Sequence, residues 1–192
     1  MNESLNTSFG PAEGETPVPV GPWTGHHFET CTFKGIDFGQ MDWRNARFEQ
    51  CEFTQCNLTQ VRWTGAKLHG VKFDNCNLEK LRWNTLTTLF LKIELQECKA
   101  GFGDWSDMEL NGAQLRTSDF TGADFSGADA RKVDWSGSRM RDTIFHRTDL
   151  RESDFREASE WNIDPAENKI REARFSKNDL EGLVHRLGIC LE

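Results

Sequence analysis

Residues 113–125 read Ala113-Gln114-Leu115-Arg116-Thr117-Ser118-Asp119-Phe120-Thr121-Gly122-Ala123-Asp124-Phe125. Small residues stand at 113, 118 and 123, and each is followed two positions later by a large apolar one, at 115, 120 and 125. The beat is five residues, and it extends in both directions. Toward the N-terminus an unbroken series runs Phe28, Phe33, Phe38, Trp43, Phe48, Phe53, Leu58, Trp63, Leu68, Phe73, Leu78 and Trp83. After Trp83 the phase slips by two residues and resumes as Phe90, Leu95, Ala100, Trp105 and Leu110, then on through Ala130, Trp135, Met140, Phe145 and Leu150 to Phe155. A small or apolar companion usually precedes each centre by two: Cys31, Ile36, Ala46, Cys51, Cys56, Ala66 and Cys76 in the first run, Cys98, Ser118, Ala123, Ala128, Ser138, Thr148 and Ser153 in the second.

Residues two apart share a face of an extended segment. A period of five would smear these centres round a helix and throw alternate ones onto opposite faces of a flat strand. The geometry that fits is a short straight side with two inward residues, then a corner. Gly35, Gly65, Gly70, Gly112, Gly122, Gly127 and Gly137 all lie two residues after a centre, where a corner needs positive φ. A longer period of 20 relates Trp43, Trp63 and Trp83, Phe33, Phe53 and Phe73, and Cys56 and Cys76. Four sides therefore close one coil, like residues stack about 4.8 Å apart, and Trp43, Trp63 and Trp83 form a core stack. The slip predicts a kink or small loop near 84–87.

These residues resemble the pentapeptide-repeat family, whose pattern is small, Asp or Asn, Leu or Phe, then two free positions; Cys76-Asn77-Leu78 and Ala123-Asp124-Phe125 match it. The resemblance spans 28–155 and implies an all-β fold, a right-handed quadrilateral β-helix of about 6.5 coils. Three parts follow: a disordered N-terminal tail at 1–24, which holds four of the five prolines; the β-helix at 25–160; and a cap and dimerisation segment at 161–192. In the cap, Ser176 begins a short amphipathic helix with Leu180, Leu183, Val184 and Leu187 on one face, ended by Gly188, and Ile189 and Leu191 follow in a brief strand. This segment reads either as a lid alone or as a lid that also makes a twofold contact.

Chemistry-bearing motifs are sparse. Cys31, Cys51, Cys56, Cys76 and Cys98 occupy the small inward slot and show no CxxC spacing, which makes them packing residues rather than metal ligands or disulfides. The histidines are scattered, and no nucleophile elbow, Walker or dinucleotide loop occurs. No enzyme activity and no cofactor are expected. With 23 basic and 31 acidic residues the formal charge is -8, which argues against direct nucleic-acid binding and for a partner with a basic surface. The N-terminus has neither the charged nor the apolar region of a secretory signal, and no run is long enough to span a membrane, so a cytoplasmic location is expected.

The acids sit in one slot. Just before the centres of the second run stand Glu94, Asp104, Glu109, Asp119, Asp124, Asp129, Asp134, Asp149 and Asp154, where the first run carries Arg47, Arg62, Lys67, Lys72 and Arg82. Stacking by 20 predicts two ladders, Glu109, Asp129 and Asp149 on one face and Glu94, Asp134 and Asp154 on the next. Each acid could instead bond the turn backbone; as a set the ladders point to a partner surface.

The C-terminal run Trp161-Asn162-Ile163-Asp164-Pro165, with Ala173-Arg174-Phe175-Ser176 and Leu187-Gly188-Ile189-Cys190-Leu191, resembles the ending of the topoisomerase-protecting branch of that family, the Qnr, MfpA, McbG and AlbG type. The resemblance implies a homodimeric rod that mimics duplex DNA, binds DNA gyrase or topoisomerase IV, and relieves poisoning, with the acidic ladders as the contact. The long loops that interrupt the Qnr repeats have no counterpart here, which favours immunity to a natural toxin over quinolone resistance. The alternative is a repeat scaffold for other protein partners.

Overall fold

A computed structural model describes residues 3–11, 21–89 and 91–177 of the chain. Its strands are β1 (Glu3–Leu5), β2 (Ser8–Phe9), β3 (His27–Glu29), β4 (Thr32–Lys34), β5 (Arg47–Glu49), β6 (Glu52–Thr54), β7 (Lys67–Asp74), β8 (Lys92–Gln96), β9 (Gln114–Arg116), β10 (Asp154–Phe155) and β11 (Arg174–Phe175). Every pairing is parallel, and most join residues 20 apart: Phe28 lies opposite Phe48 and Phe48 opposite Leu68, while Phe33 lies opposite Phe53 and Phe53 opposite Phe73. The other sides are held by single bridges in the same register, such as Asp37 with Asn57 and Asp129 with Asp149. The result is a parallel β-solenoid of about eight turns with four sides per turn.

Two inward residues per side fill the interior. Phe9, Phe33, Phe53 and Phe73 form one aromatic column with ring centroids 5.0, 4.6 and 5.1 Å apart, set by the strand spacing itself. The Trp column holds buried Trp23, Trp43, Trp63, Trp83 and Trp105. Trp23 stacks on Trp43 at 5.3 Å and Trp83 on Trp105 at 3.9 Å, but Trp63 turns edge-on to Trp83 and donates its indole N–H to the Arg82 carbonyl at 2.9 Å. The indole Nε1 groups of Trp23, Trp43, Trp83, Trp105 and Trp135 are buried with no hydrogen-bond partner in the structure.

The companion slot changes chemistry along the rod. In the first half it holds thiols, and the Cys76 Sγ donates to the Phe53 carbonyl and accepts the Cys56 N–H. None of the five described cysteines forms a disulfide and all are buried; burial pushes the Cys51 thiol up to about 12. In the second half hydroxyls do the same work: Ser138 accepts the Ser118 N–H at 3.1 Å and donates to the Leu115 carbonyl at 2.8 Å, and Ser153 donates to the Ala130 carbonyl. A buried hydroxyl is tolerated because both of its bonding roles are met.

Corners carry the left-handed backbone. The seven glycines placed there by their spacing all have φ between 62° and 74°, and among the described residues 20 non-glycine residues share the conformation, Gln40, Lys80 and Phe102 among them. At 38–41 the Met41 N–H closes on the Phe38 carbonyl at 2.9 Å with Gln40 at φ 62°, the positive φ a type II turn demands.

A 3₁₀ turn at Trp83–Thr85 accompanies the change of phase. Across it the register grows from 20 to 22, so that Asn77 bridges Lys99 and Arg82 bridges Asp104; the shift within the β7–β8 pair falls between His69 and Val71. Phe90 lies outside the described residues.

Two expectations change. The N-terminal segment does not form a structureless tail over 3–11 and 21–24: β1 pairs β3, β2 pairs β4, and Phe9 and Trp23 are buried in the first coil. From Phe9 to Trp23 takes 14 residues where Phe33 to Trp43 takes 10, and the four extra residues break the beat. At the other end Phe175 stacks on Phe155 at 5.1 Å and Ile163 is buried, so that the coils extend past 160 and exceed the 6.5 read from the centres. The capping helix, with Leu180, Leu183, Val184, Leu187, Ile189 and Leu191, lies outside the described residues.

Candidate functional site

The slot before each centre points outward, and its first duty is local. The Asp119 carboxylate accepts the Thr121 N–H at 2.8 Å, Asp124 the Ser126 N–H at 2.8 Å, Asp134 the Ser136 N–H at 3.0 Å and Asp154 the Arg156 N–H at 3.0 Å. Asn57 and Asn77 make the same bond in the first half, to Thr59 and Glu79. These are Asx turns, and they explain a short acid or amide in that slot without any partner.

The register assembles the columns of acids. Glu109 bridges Asp129, and Asp129 bridges Asp149, above Lys169. Glu94, Asp134 and Asp154 share the adjacent column, but Gln114 stands between Glu94 and Asp134 and Arg174 ends it. Neither column is a bare ladder of charge. Arg131 grips Asp129 with Nε and a terminal nitrogen at 2.7 and 2.6 Å, Arg151 grips Asp149 at 2.8 and 2.6 Å, and Arg156 grips Asp154 at 2.9 and 2.6 Å. The guanidinium hydrogen bonds hold all three carboxyls below the usual range. Asp134 and Glu94 have looser cations, Arg116 at 3.8 Å and Lys72 at 3.9 Å. Such bidentate pairs relieve the like-charge repulsion that stacking creates. The arginine two residues after the acid is the signal that sequence reading passed over; it stands at 44, 131, 151 and 156.

The column beneath the tryptophans is different. From the N-terminal end it runs Asp42, Arg62, Arg82, Asp104, Asp124, Ile144. Asp42 is gripped by Arg44 at 2.7 Å and lies 3.6 Å from Arg62, and the Arg44 hydrogen bonds bring its pKa to about 2. Beside it Arg44, Arg62, Lys80 and Arg82 line a hollow of about 420 Å³. The sign then reverses: among the described residues no cation lies within 4 Å of Asp104, Asp107 or Asp124. Of the ladder residues only Glu109 is likewise without a cation within 4 Å among the described residues.

Among the described residues no group of three or more His, Cys, Asp or Glu could hold a metal ion, and no helix is long and apolar enough to cross a membrane.

Five-residue sides, four to a turn and stacked in parallel, define a β-solenoid of the repeat type. Family models agree: one described as a pentapeptide repeat region matches residues 26–101, and one described as pentapeptide repeats in eight copies matches 106–134 and 118–157. The chain belongs to the pentapeptide-repeat family. Among solved structures it is similar to full-length QnrB1, a plasmid-mediated fluoroquinolone resistance protein, with a TM-score of 0.67 and 15% identity over 97% of each chain. Two trypsin-treated variants of QnrB1 give TM-scores of 0.69 and 0.68 at 15% identity, covering 100% of this chain and 99% and 98% of theirs. No curated protein matches the sequence.

Proposed function

We propose that this protein binds DNA gyrase, or the related topoisomerase IV, and protects it from a poison, with a natural-product toxin as the agent countered. The observation that carries the reading is the likeness to QnrB1 end to end, both chains being covered almost completely; the fluoroquinolone resistance belongs to that protein. The acid excess and its outward placement support a basic target. The action is binding rather than catalysis, and it is exerted as a homodimer joined through the apolar positions of the C-terminal segment, from Leu180 to Leu191.

Charge density sets how duplex DNA would be imitated. About eight turns at ~4.8 Å make a rod of roughly 38 Å. A net charge of -8 on it gives one charge per ~5 Å, against one per ~1.7 Å along DNA. With Asp129, Asp149 and Asp154 each held by an arginine, mimicry rests on local patches rather than on a continuous charged strip. A supercoiling assay with purified gyrase, with and without a poison, tests the reading. Inhibition by the full chain, or relief of poisoning, is expected; gyrase indifferent under both conditions would leave the scaffold reading in its place.

A further inference from the structure

Large apolar side chains stay inside this rod with few exceptions, and two of the exceptions share one face. Phe102 is 58% exposed and Ile144 49%. Ile144 follows Asp104 and Asp124 in the outward Trp-side column, and Phe102 occupies the corner two residues before Asp104. That corner is the left-handed slot: Phe102 has φ 56°, a conformation a bulky side chain rarely takes. Most other corners hold glycine or a polar residue. A solvated aromatic there gains no core burial to offset the backbone cost.

The ring is also held in place. One coil further on, Gly122 leaves room for it: a Cβ at that glycine would come within 2.8 Å of two Phe102 ring carbons. Its neighbours Gly101 and Gly103 pack so closely that a Cβ would meet the Thr121 carbonyl and the Trp105 indole nitrogen at 2.8 Å. One edge of the ring thus rests on Gly122 and its backbone is closely packed before any partner arrives, which lowers the entropy an anchor loses on binding. The outward column that begins two residues on carries Asp104 and Asp124, neither with a cation within 4 Å among the described residues.

We propose that Phe102 and Ile144 form the apolar centre of a docking surface for a basic protein partner, with Phe102 entering an apolar recess and Asp104 and Asp124 meeting its cations. The occupant is chosen by charge: carboxylates with no cation of the described chain beside them complement a positive surface. Resting on the gyrase reading, the inference places the enzyme's contact on the Trp-side face rather than on the arginine-clamped columns.

The test uses the full chain and purified gyrase. Phe102→Asn puts a residue that accepts the left-handed conformation in the corner, so its melting temperature should stay level or rise while affinity for gyrase falls at least tenfold. Ile144→Thr should lower affinity several-fold, and Asp104→Asn with Asp124→Asn should flatten the salt dependence of binding. Equal affinity of Phe102→Asn and wild type overturns the docking surface while leaving the gyrase reading intact; wild type that fails to bind gyrase removes both. A melting temperature lowered by Phe102→Asn would assign the ring to packing, and a changed oligomeric state would assign the face to a second copy of the chain; either outcome also overturns the proposal.

Discussion

The two halves of the rod solve the same stacking problem with different residues. Before the 3₁₀ turn the companion slot is filled by Cys, Ala and larger aliphatic residues and the outward slot carries many bases; after it, Ser and Thr enter the companion slot and acids take the outward one. The pairing is parallel in both, through short strands on two sides before the turn and mostly through single bridges after it. What differs is where polarity is satisfied: buried hydroxyls bond a carbonyl of the preceding coil, 23 residues back, and outward acids bond their own turns or an arginine two residues on. Fold and surface are therefore separable in this architecture, and charge can change sign along a rod that does not change shape. Stability in such a stack is close to a sum over coils and their interfaces.

The sharpest way to break the comparison is at the boundary. Trp83→Ala, which removes a ring stacked at 3.9 Å on Trp105 and edge-on to Trp63, should cost about 3–5 kcal/mol in urea denaturation; separate unfolding of the two halves in that variant would show that this ring couples them. Next comes an exchange of companions. Ser138→Ala strands the Ser118 N–H and the Leu115 carbonyl and should cost about 1–3 kcal/mol, whereas Cys76→Ser, which imports the second half's solution into the first, should cost under ~1 kcal/mol. Similar losses for both would mean the slots are not equivalent.

A smaller difference separates two tryptophans of one column. Trp63→Phe loses the bond to the Arg82 carbonyl and Trp43→Phe removes an indole N–H without a partner, so the first should be the more damaging by about 1 kcal/mol. The smallest effect concerns acid. Asp42, Asp129, Asp149 and Asp154 have folded pKa values below their unfolded ones, so the stability they add is complete above the usual carboxylate pKa of about 4 and is lost as pH falls through the folded values, near 2 for Asp42. The urea midpoint should drop over that window, and Arg44→Gln should shrink the drop slightly.

Most of the fold could be read from spacing, because each side of the solenoid imposes the same demand on two residues in five. The phase slip and the seven corner glycines were visible for that reason. The first coil was hidden by four extra residues between Phe9 and Trp23, which erase the beat where only one turn remains to show it. The acid columns were legible as register, but their neutralisation depends on a short acid-x-Arg pairing within one side, which a search at long period does not sample. Phe102 escaped notice for a related cause: it is out of phase with the centres, and only the folded corner shows it exposed beside a column whose carboxylates have no cation within 4 Å among the described residues.

The coil that includes Trp83–Thr85 spends 22 residues where its neighbours spend 20, yet the columns on both sides of it remain aligned. Extra chain there leaves the interior undisturbed, because the surplus is absorbed at the perimeter before the next rung begins. An affinity tag, a fluorophore-bearing peptide or a longer recognition loop grafted at this seam would therefore inherit a straight, prefabricated shaft on either side.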